Sequence, residues 1–307
     1  MRKIIILKHG GGELANQLWN YLSVYAFGLE RGISVLNPSF FEYHCFFRFL
    51  KEESWVTRLT SRLFFRAPRR RSSWINRNQR LKYALRAWIV GALNASCVYS
   101  SENSENRQTY LPPTAPLPDR FDACSKLYLT GWLFRNPAGL AKFGKELRAA
   151  FAPSDEILRR VDAIISPLRS QYQHVIGVHI RQSDYAGFKG GRFVVSQVRF
   201  REVMGEFLRE RRLDPARTVF VIASDGRVDE RVFAGLNVAV SRENSVVDLF
   251  LLSRADAVIG SDSSFGAFAA WHGDIPHIIA RNDAMDWAYY ANKNSFFENR
   301  LSELMKY

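Results

Sequence analysis

The clearest pattern along the chain is an alternation of short apolar runs with longer segments of helical periodicity, most regular in the second half. Apolar runs of strand length alternate there with segments in which apolar residues recur every three or four positions. Short strands that are apolar on both faces, with helices between them, predict a parallel sheet covered on both sides. The predicted strands are 175–180, 218–223, 255–260 and 276–280, and the predicted helices are 196–212, 245–253 and 263–271.

The first half opens with the same order of strand, turn and helix. An apolar strand at 4–7 is followed by Gly10-Gly11-Gly12, and helical periodicity then continues until Gly32. Four prolines between 112 and 118 predict an extended connector, because proline disfavours a helix interior and cannot donate to a sheet. Further elements are expected at 33–36 and 126–131 (strands) and at 155–172 (helix). We predict an N-terminal domain over 1–152, with a less regular insertion at about 40–110, and a C-terminal domain over 153–307.

Composition narrows the class of protein. With 47% hydrophobic and 24% charged residues, the chain is expected to be globular rather than disordered. No apolar run approaches the roughly 18 residues that span a bilayer, and the N-terminal run is too short for a signal peptide. Cys45, Cys97 and Cys124 are widely spaced and predict neither a disulfide framework nor a metal site. We therefore expect a cytoplasmic protein.

The net charge of +13 is concentrated in one segment. Twelve basic residues lie between Arg48 and Arg86, opposed only by Glu52 and Glu53, so this segment carries 12 − 2 = +10. Aromatic and aliphatic residues between the arginines predict that 48–93 contacts an anionic membrane, as a peripheral contact at its inner face. A solvated charged face over an internally packed helix is the alternative. A non-catalytic nucleic-acid-binding protein is a rival hypothesis, but it leaves the polar clusters described next without a role.

Polar clusters follow three of the predicted strands in the second half: 179–184, 224–225 and 260–264. Parallel α/β sheets bind ligands beyond the carboxyl ends of their strands. Arg181 offers a planar fork of donors suited to phosphate, although an ion pair with Asp184 is the alternative. The small residues from Gly260 to Ser264 open a helix, where N–H groups bind anions, although a cap from Ser261 or Asp262 is the plainer explanation.

Two other features allow two interpretations each. Asp248 starts an apolar helix, where a carboxylate complements the helix dipole, and it could also accept hydrogen bonds from a guanine edge. The glycine-rich turn ending at Gly12 and Glu13 lacks the Lys-Ser/Thr ending of a phosphate-binding loop. We expect it to line a cleft from the first domain.

Four motifs resemble those of the alpha-1,2-, alpha-1,6- and protein O-fucosyltransferase superfamily. His179-x-Arg181-x-x-Asp184 is similar to the first shared motif and Ser224-Asp225 to the second. Residues 248–256, followed by Gly260-Ser-Asp-Ser-Ser264 and a helix to Trp271, resemble the third. Gly12-Glu-Leu-Ala-Asn16-Gln17 is similar to the start of alpha-1,2-fucosyltransferases, except that Glu13 is inserted and Gln182-Ser183 replaces the Arg-Gly common in those enzymes.

The resemblance implies a GT-B-like α/β fold, in which two Rossmann-like domains with parallel sheets enclose a cleft. It also implies inverting, metal-independent transfer of fucose from GDP-fucose to a sugar hydroxyl of a glycan, which a lipid could carry. No cofactor or metal ion is expected, GDP-mannose is an alternative donor, and Glu13 and Asp184 are the candidate bases. The other implied roles are Arg181 on the leaving phosphate; His179 and Asp248 on guanine; Asp225 on the ribose or in a structural contact; Ser261, Ser263 and Ser264 on the diphosphate; and Gly12 and Asn16 toward the reacting sugar.

Overall fold

The computed structural model describes residues 3–7, 13–40, 42–48, 98–102, 109–111, 126–130, 134–182 and 194–291, together with the helical positions 55, 59, 81, 84, 85 and 88. The chain divides into two compact units, the first formed by Met1–Asp155 with Met305–Tyr307 and the second by Glu156–Leu304. The predicted connector at 112–118 and most of the basic segment lie outside the described residues.

The first unit is built around a parallel sheet with the strand order β2-β1-β5-β3. A separate pair, β4 and β6, is also parallel. The elements are β1 (Ile4–Leu7), α1 (Leu14–Arg31), β2 (Ser34–Leu36), β3 (Val98–Glu102), β4 (Thr109–Tyr110), β5 (Lys126–Thr130), β6 (Phe134–Arg135), α2 (Pro137–Lys142) and α3 (Gly144–Ala150), with 3-10 turns at Pro38–Phe40 and His44–Phe46.

Helix α1 determines how this unit packs. Its apolar positions are almost completely buried, and Tyr21 meets Phe40 and Phe151 edge-on at centroid distances of 5.8 and 4.9 Å. The helix ends where Gly32 adopts a left-handed conformation (φ 63°), which a residue with a side chain rarely adopts. Glu13 occupies the cap position at its N-terminus.

The second unit contains a five-stranded parallel sheet with the order β11-β10-β7-β8-β9. On one face of this sheet, alternate apolar residues of β7, β8 and β10 form a buried core with the inner face of α5. The elements are α4 (Asp155–Gln171), β7 (His174–Ile180), α5 (Gln197–Glu210), β8 (Thr218–Ser224), β9 (Val238–Val240), α6 (Ser245–Leu252), β10 (Ala257–Gly260), α7 (Ser264–Gly273) and β11 (His277–Ile279), with 3-10 turns at Pro215–Arg217 and Glu230–Phe233.

The predicted fold class, α/β with a parallel sheet in each half, is confirmed. The pattern missed β9 in the second unit, an edge strand of three half-buried residues, because it is too short to show periodicity. Close packing explains one glycine that the pattern left unassigned: a Cβ on Gly177 would lie 2.8 Å from a methyl group of Leu252, so α6 approaches β7 closely. In the described part of the chain, no helix is both long and apolar enough to cross a membrane.

Candidate functional site

The polar clusters of the second unit come together at the carboxyl edge of its sheet. Strand β7 lies between β10 and β8, so the residues that follow these three strands are neighbours in space. The register pairs His179 with Gly260 on one side and Ile180 with Ser224 on the other. The sequence predicted this edge as a ligand site, and the strand order brings Arg181, Asp225 and Ser261 into contact there.

Arg181 is fixed by contacts on both sides of β7. Its Nε lies 3.2 Å from Oδ2 of Asp225, and its backbone N–H donates to Oγ of Ser261 at 3.0 Å. The side chains of Arg181 and Asp225 are 23% and 27% exposed, so the pair is partly shielded but can be reached from solvent. Asp184, the ion-pair partner considered from the sequence, lies outside the described residues.

Ser261 joins the ends of two neighbouring strands. It is fully buried, its N–H donates to the carbonyl oxygen of His179 at 2.9 Å, and its hydroxyl accepts the Arg181 N–H. The structure therefore gives Ser261 a positioning contact with the backbone of Arg181. The predicted contact with a diphosphate stays a prediction.

The turn after β10 leads directly into α7. Ser263 is the cap residue, and its hydroxyl accepts the N–H of Phe265 at 3.2 Å. A side chain therefore caps the helix, as the plainer explanation held, but the predicted cap residues Ser261 and Asp262 were wrong, and the cap is Ser263. Ser264 is the first helical residue and is half-buried. A helix N-terminus with small residues at this edge presents the donors that anions prefer.

His179 is held as a neutral imidazole. Its ring is 4% exposed and stacks on Phe265, with centroids 4.7 Å apart and an interplanar angle of 26°. Burial, followed by the positive charge of Arg181, lowers the pKa of His179 to about 4, and Asp225 opposes this only in part. Its Nδ1 has no hydrogen-bond partner among the described residues. The ring can therefore offer a neutral polar atom to a ligand at neutral pH.

Asp248 has the helix-start role considered from the sequence, and its contact with guanine stays a prediction. It lies in the first turn of α6, which Asn244 caps by accepting the N–H groups of Val246 and Val247. It is also 8% exposed, and its Oδ1 accepts a hydrogen bond from the hydroxyl of Ser241, which follows β9. A buried carboxylate at the carboxyl edge of the sheet can serve as an acceptor for a nucleobase.

The structure adds residues that the sequence did not assign. Gln182 was noticed only as a departure from a motif, yet its N–H donates to Oδ1 of Asp225 at 2.7 Å. His277, buried in β11, is accommodated by two glycines, since a Cβ on Gly260 or Gly266 would lie 3.3 or 3.0 Å from its Nε2. Both are polar residues next to an apolar run, and this pattern was visible in the sequence. Their partners could not be identified from it, because they lie elsewhere along the chain.

In the first unit, the predicted residues lie at the start of α1. Glu13 occupies the cap position, is exposed, and accepts a hydrogen bond from the hydroxyl of Tyr43 at 3.2 Å. Asn16 is half-buried one turn later. Tyr43 was not recognised from the sequence, because nothing in the local pattern relates it to Glu13. Gly12 lies outside the described residues.

Metal ligation was also considered. The described ranges contain no group of three or more His, Cys, Asp or Glu side chains arranged to hold a metal ion. Metal independence stays a prediction.

Comparisons with known proteins identify the fold. No family profile and no curated protein matches the chain. Among solved structures, POFUT1 in complex with GDP-fucose is similar with a TM-score of 0.55 and 13% identity, over 91% of this chain and 98% of that one. A FUT1 variant from Arabidopsis thaliana in complex with GDP is similar with a TM-score of 0.54 and 13% identity, over 92% of this chain and 72% of that one. The alpha-1,6-fucosyltransferase NodZ soaked with GDP-fucose is similar with a TM-score of 0.50 and 16% identity, over 88% of this chain and 92% of that one. The chain therefore has the α/β fold of these fucosyltransferases.

Proposed function

We propose that the chain is an inverting, metal-independent fucosyltransferase that moves fucose from GDP-fucose to a hydroxyl of a glycan. The observation that carries the proposal is the arrangement around Arg181. Its guanidinium is paired with Asp225 and its backbone N–H is bonded to Ser261 in the turn that opens α7, at the sheet edge where such folds bind ligands. Support also comes from the fold, which is similar to that of POFUT1 in complex with GDP-fucose and to that of the alpha-1,6-fucosyltransferase NodZ.

The charge that develops in the reaction explains why these groups suit it. The bond between the sugar C1 and the phosphate oxygen breaks as the acceptor oxygen attacks the opposite face of C1. The electron pair leaves with the diphosphate, and the acceptor proton passes to a base. Arg181 and the N–H groups at the start of α7 would stabilise the negative charge on the departing GDP electrostatically. A metal ion is then not required for that step.

The guanine would be read by two buried groups. Asp248 would accept hydrogen bonds from N1 and N2 of guanine, and the Ser241 hydroxyl would hold its carboxylate in place. His179 would contribute a neutral hydrogen-bonding ring, because its lowered pKa keeps it uncharged. We assign Asp225 to the orientation of Arg181, because its Oδ2 lies 3.2 Å from Nε of Arg181 and its Oδ1 accepts the backbone N–H of Gln182.

The acceptor hydroxyl needs a base, and Glu13 and Asp184 are the candidates. We favour Glu13, because the hydroxyl of Tyr43 holds its carboxylate at the start of α1. Asn16, on the same face one turn later, and Gly12 would contact the reacting sugar. The acceptor is a glycan, and a lipid-linked one would suit the basic segment.

Calorimetric titration of the whole protein with GDP, UDP, GDP-fucose and GDP-mannose, with and without EDTA, tests the proposal. We expect GDP and GDP-fucose each to bind as tightly in the presence of EDTA as in its absence. UDP should bind at least tenfold more weakly than GDP. Transfer of labelled fucose to a set of soluble glycans, followed by determination of the anomeric configuration, tests the reaction. Turnover of GDP-mannose but not of GDP-fucose would show that GDP-mannose is the donor. Nucleotide binding that requires a divalent ion would contradict metal independence.

A further inference from the structure

Two glutamine side chains form a bridge at the carboxyl edge of the second unit's sheet, between segments that are far apart along the chain. Gln182 directly follows β7, and Gln197 is the first residue of α5. In sequence, residues 183–196 lie between them. The amide nitrogen of Gln197 donates to the amide oxygen of Gln182 at 3.1 Å, so the two side chains are in direct contact.

Both amides also hold the turn that follows β8. The Gln182 nitrogen donates to Oγ of Ser224 at 2.8 Å and to the carbonyl oxygen of Arg227 at 3.1 Å. The Gln197 nitrogen donates to the same Arg227 carbonyl at 2.8 Å, while its oxygen accepts the N–H of Asp229 at 2.9 Å. Each amide N–H and each amide oxygen thus has a partner, and the orientation of both amides is determined. Replacing both side chains by ones of the same shape without donors would remove both amide partners of the Arg227 carbonyl, while the Ser224 hydroxyl would keep its bonds to the Ile180 carbonyl oxygen and the Gly226 N–H.

Asp225 lies inside the turn that the amides hold. Its Oδ1 accepts the backbone N–H of Gln182 at 2.7 Å, and its Oδ2 lies 3.2 Å from Nε of Arg181. The approach is close: a Cβ on Gly226 would lie 2.8 Å from Cβ of Gln182. The position of the Asp225 carboxylate, and with it the orientation of the Arg181 guanidinium, therefore depends on where the two amides fix the turn.

We propose that Gln182 and Gln197 are positioning residues that orient Arg181 through Asp225. This proposal rests on the proposed function. A neutral amide at position 182 fixes the turn without competing for the Asp225 carboxylate, as a second guanidinium would.

The test uses methionine, which keeps the length of glutamine but removes its hydrogen bonds. Gln182→Met, Gln197→Met and the double variant are compared with Gln171→Met, a matched control at an exposed position in α4. We expect each single change at 182 or 197 to lower kcat about tenfold with a small effect on the KM for GDP-fucose. The double variant should lose about tenfold rather than a hundredfold, because either change opens the same bridge.

A second cycle separates positioning from general stability. In an Arg181→Lys background, the planar fork is already lost, and Gln182→Met should lower kcat by less than twofold further. Full activity of both single variants, or losses that multiply with Arg181→Lys, would overturn the proposal. So would a loss of kcat that tracks a fall in Tm and disappears on assay at a lower temperature. Failure of the wild-type protein to bind GDP or transfer fucose would instead refute the proposed function itself.

Discussion

Oδ2 of Asp225 lies 3.2 Å from Nε of Arg181, although the two residues are 44 positions apart and follow different strands. The pair exists because β7 and β8 are neighbours in a parallel sheet, which places their following residues side by side. A guanidinium oriented through Nε presents its other nitrogens in a fixed direction, and this is the geometry that phosphate recognition requires.

The first prediction concerns this guanidinium. Arg181→Ala should lower fucose transfer more than a hundredfold, and Arg181→Lys nearly as much, because lysine lacks the bidentate fork. Arg231→Ala is the matched control. That arginine also pairs with an aspartate, Asp229, which follows β8 as Asp225 does, but its side chain is 89% exposed. Steady-state turnover at saturating donor is the measurement. An alanine variant that keeps more than about a tenth of wild-type turnover, a loss of about 1.4 kcal/mol, would remove Arg181 from the mechanism.

The second prediction concerns the nucleobase. Asp248→Asn should weaken GDP binding and reduce discrimination against ADP and UDP, because an amide both donates and accepts where the carboxylate only accepts. Ser241→Ala should have a smaller effect in the same direction, since it removes the hydroxyl that donates to Asp248. Competition titrations measure both effects, with the half-exposed Asp162→Asn as control. Unchanged nucleotide preference in a folded variant would leave Asp248 with its helix-start role alone.

The third prediction concerns pH. The folded protein lowers the pKa of His179 to about 4, against about 6.5 in an unfolded chain. Neutral His179 therefore favours the folded state above about pH 6.5, and this contribution is lost as pH falls toward 4. The difference corresponds to about 3 kcal/mol. His179→Phe keeps a buried ring without a titrating group, so its free energy of unfolding should fall less between pH 6.5 and 4. Parallel stability curves for the two proteins would show that His179 is not held neutral.

The fourth prediction concerns the base. Glu13→Gln should reduce kcat more than a hundredfold while GDP binding stays unchanged, because an amide cannot accept the acceptor proton. Tyr43→Phe should cost a few-fold in kcat, since it removes the hydroxyl that holds the Glu13 carboxylate. Tyr25→Phe, in the aromatic cluster of the same unit, is the control. If Glu13→Gln remains active, the role of base passes to Asp184.

The fifth prediction concerns the basic segment at 48–93. Its described positions include Trp55 and Trp88, which are 68% and 64% exposed, and indole rings suit the headgroup region of a membrane. We expect flotation with acidic liposomes that weakens with salt, and release by exchange of Arg69, Arg70 and Arg71 for glutamate without loss of activity on a soluble acceptor. Neutral liposomes are the control. Retention on nucleic acid but not on acidic liposomes would favour the nucleic-acid hypothesis.

In the second unit, the sequence was sufficient to predict those strands and helices whose hydrophobic pattern is local. The apolar runs at β7, β8 and β10 and the helical periodicity of α5, α6 and α7 follow from the burial of continuous faces. Polar clusters directly after buried strands were enough to predict that their residues meet at one sheet edge, where we propose that the donor binds. The cap of α7 was also predicted, although its assignment moved to Ser263, because which small residue adopts the cap conformation depends on where β10 ends.

Partnerships, in contrast, were decided only by the tertiary structure. Strand order brings Arg181 to Asp225 and Ser261, and it joins Gln182 to Gln197 and the turn after β8. The Ser241 hydroxyl bonded to Asp248 and the Tyr43 hydroxyl bonded to Glu13 are likewise invisible to any local pattern. Periodicity reports which face of an element is buried, but it carries no information on which strand lies beside which. The sequence by itself therefore determined the elements and the polar residues at their ends, and only the folded sheets determined which of those residues act on one another.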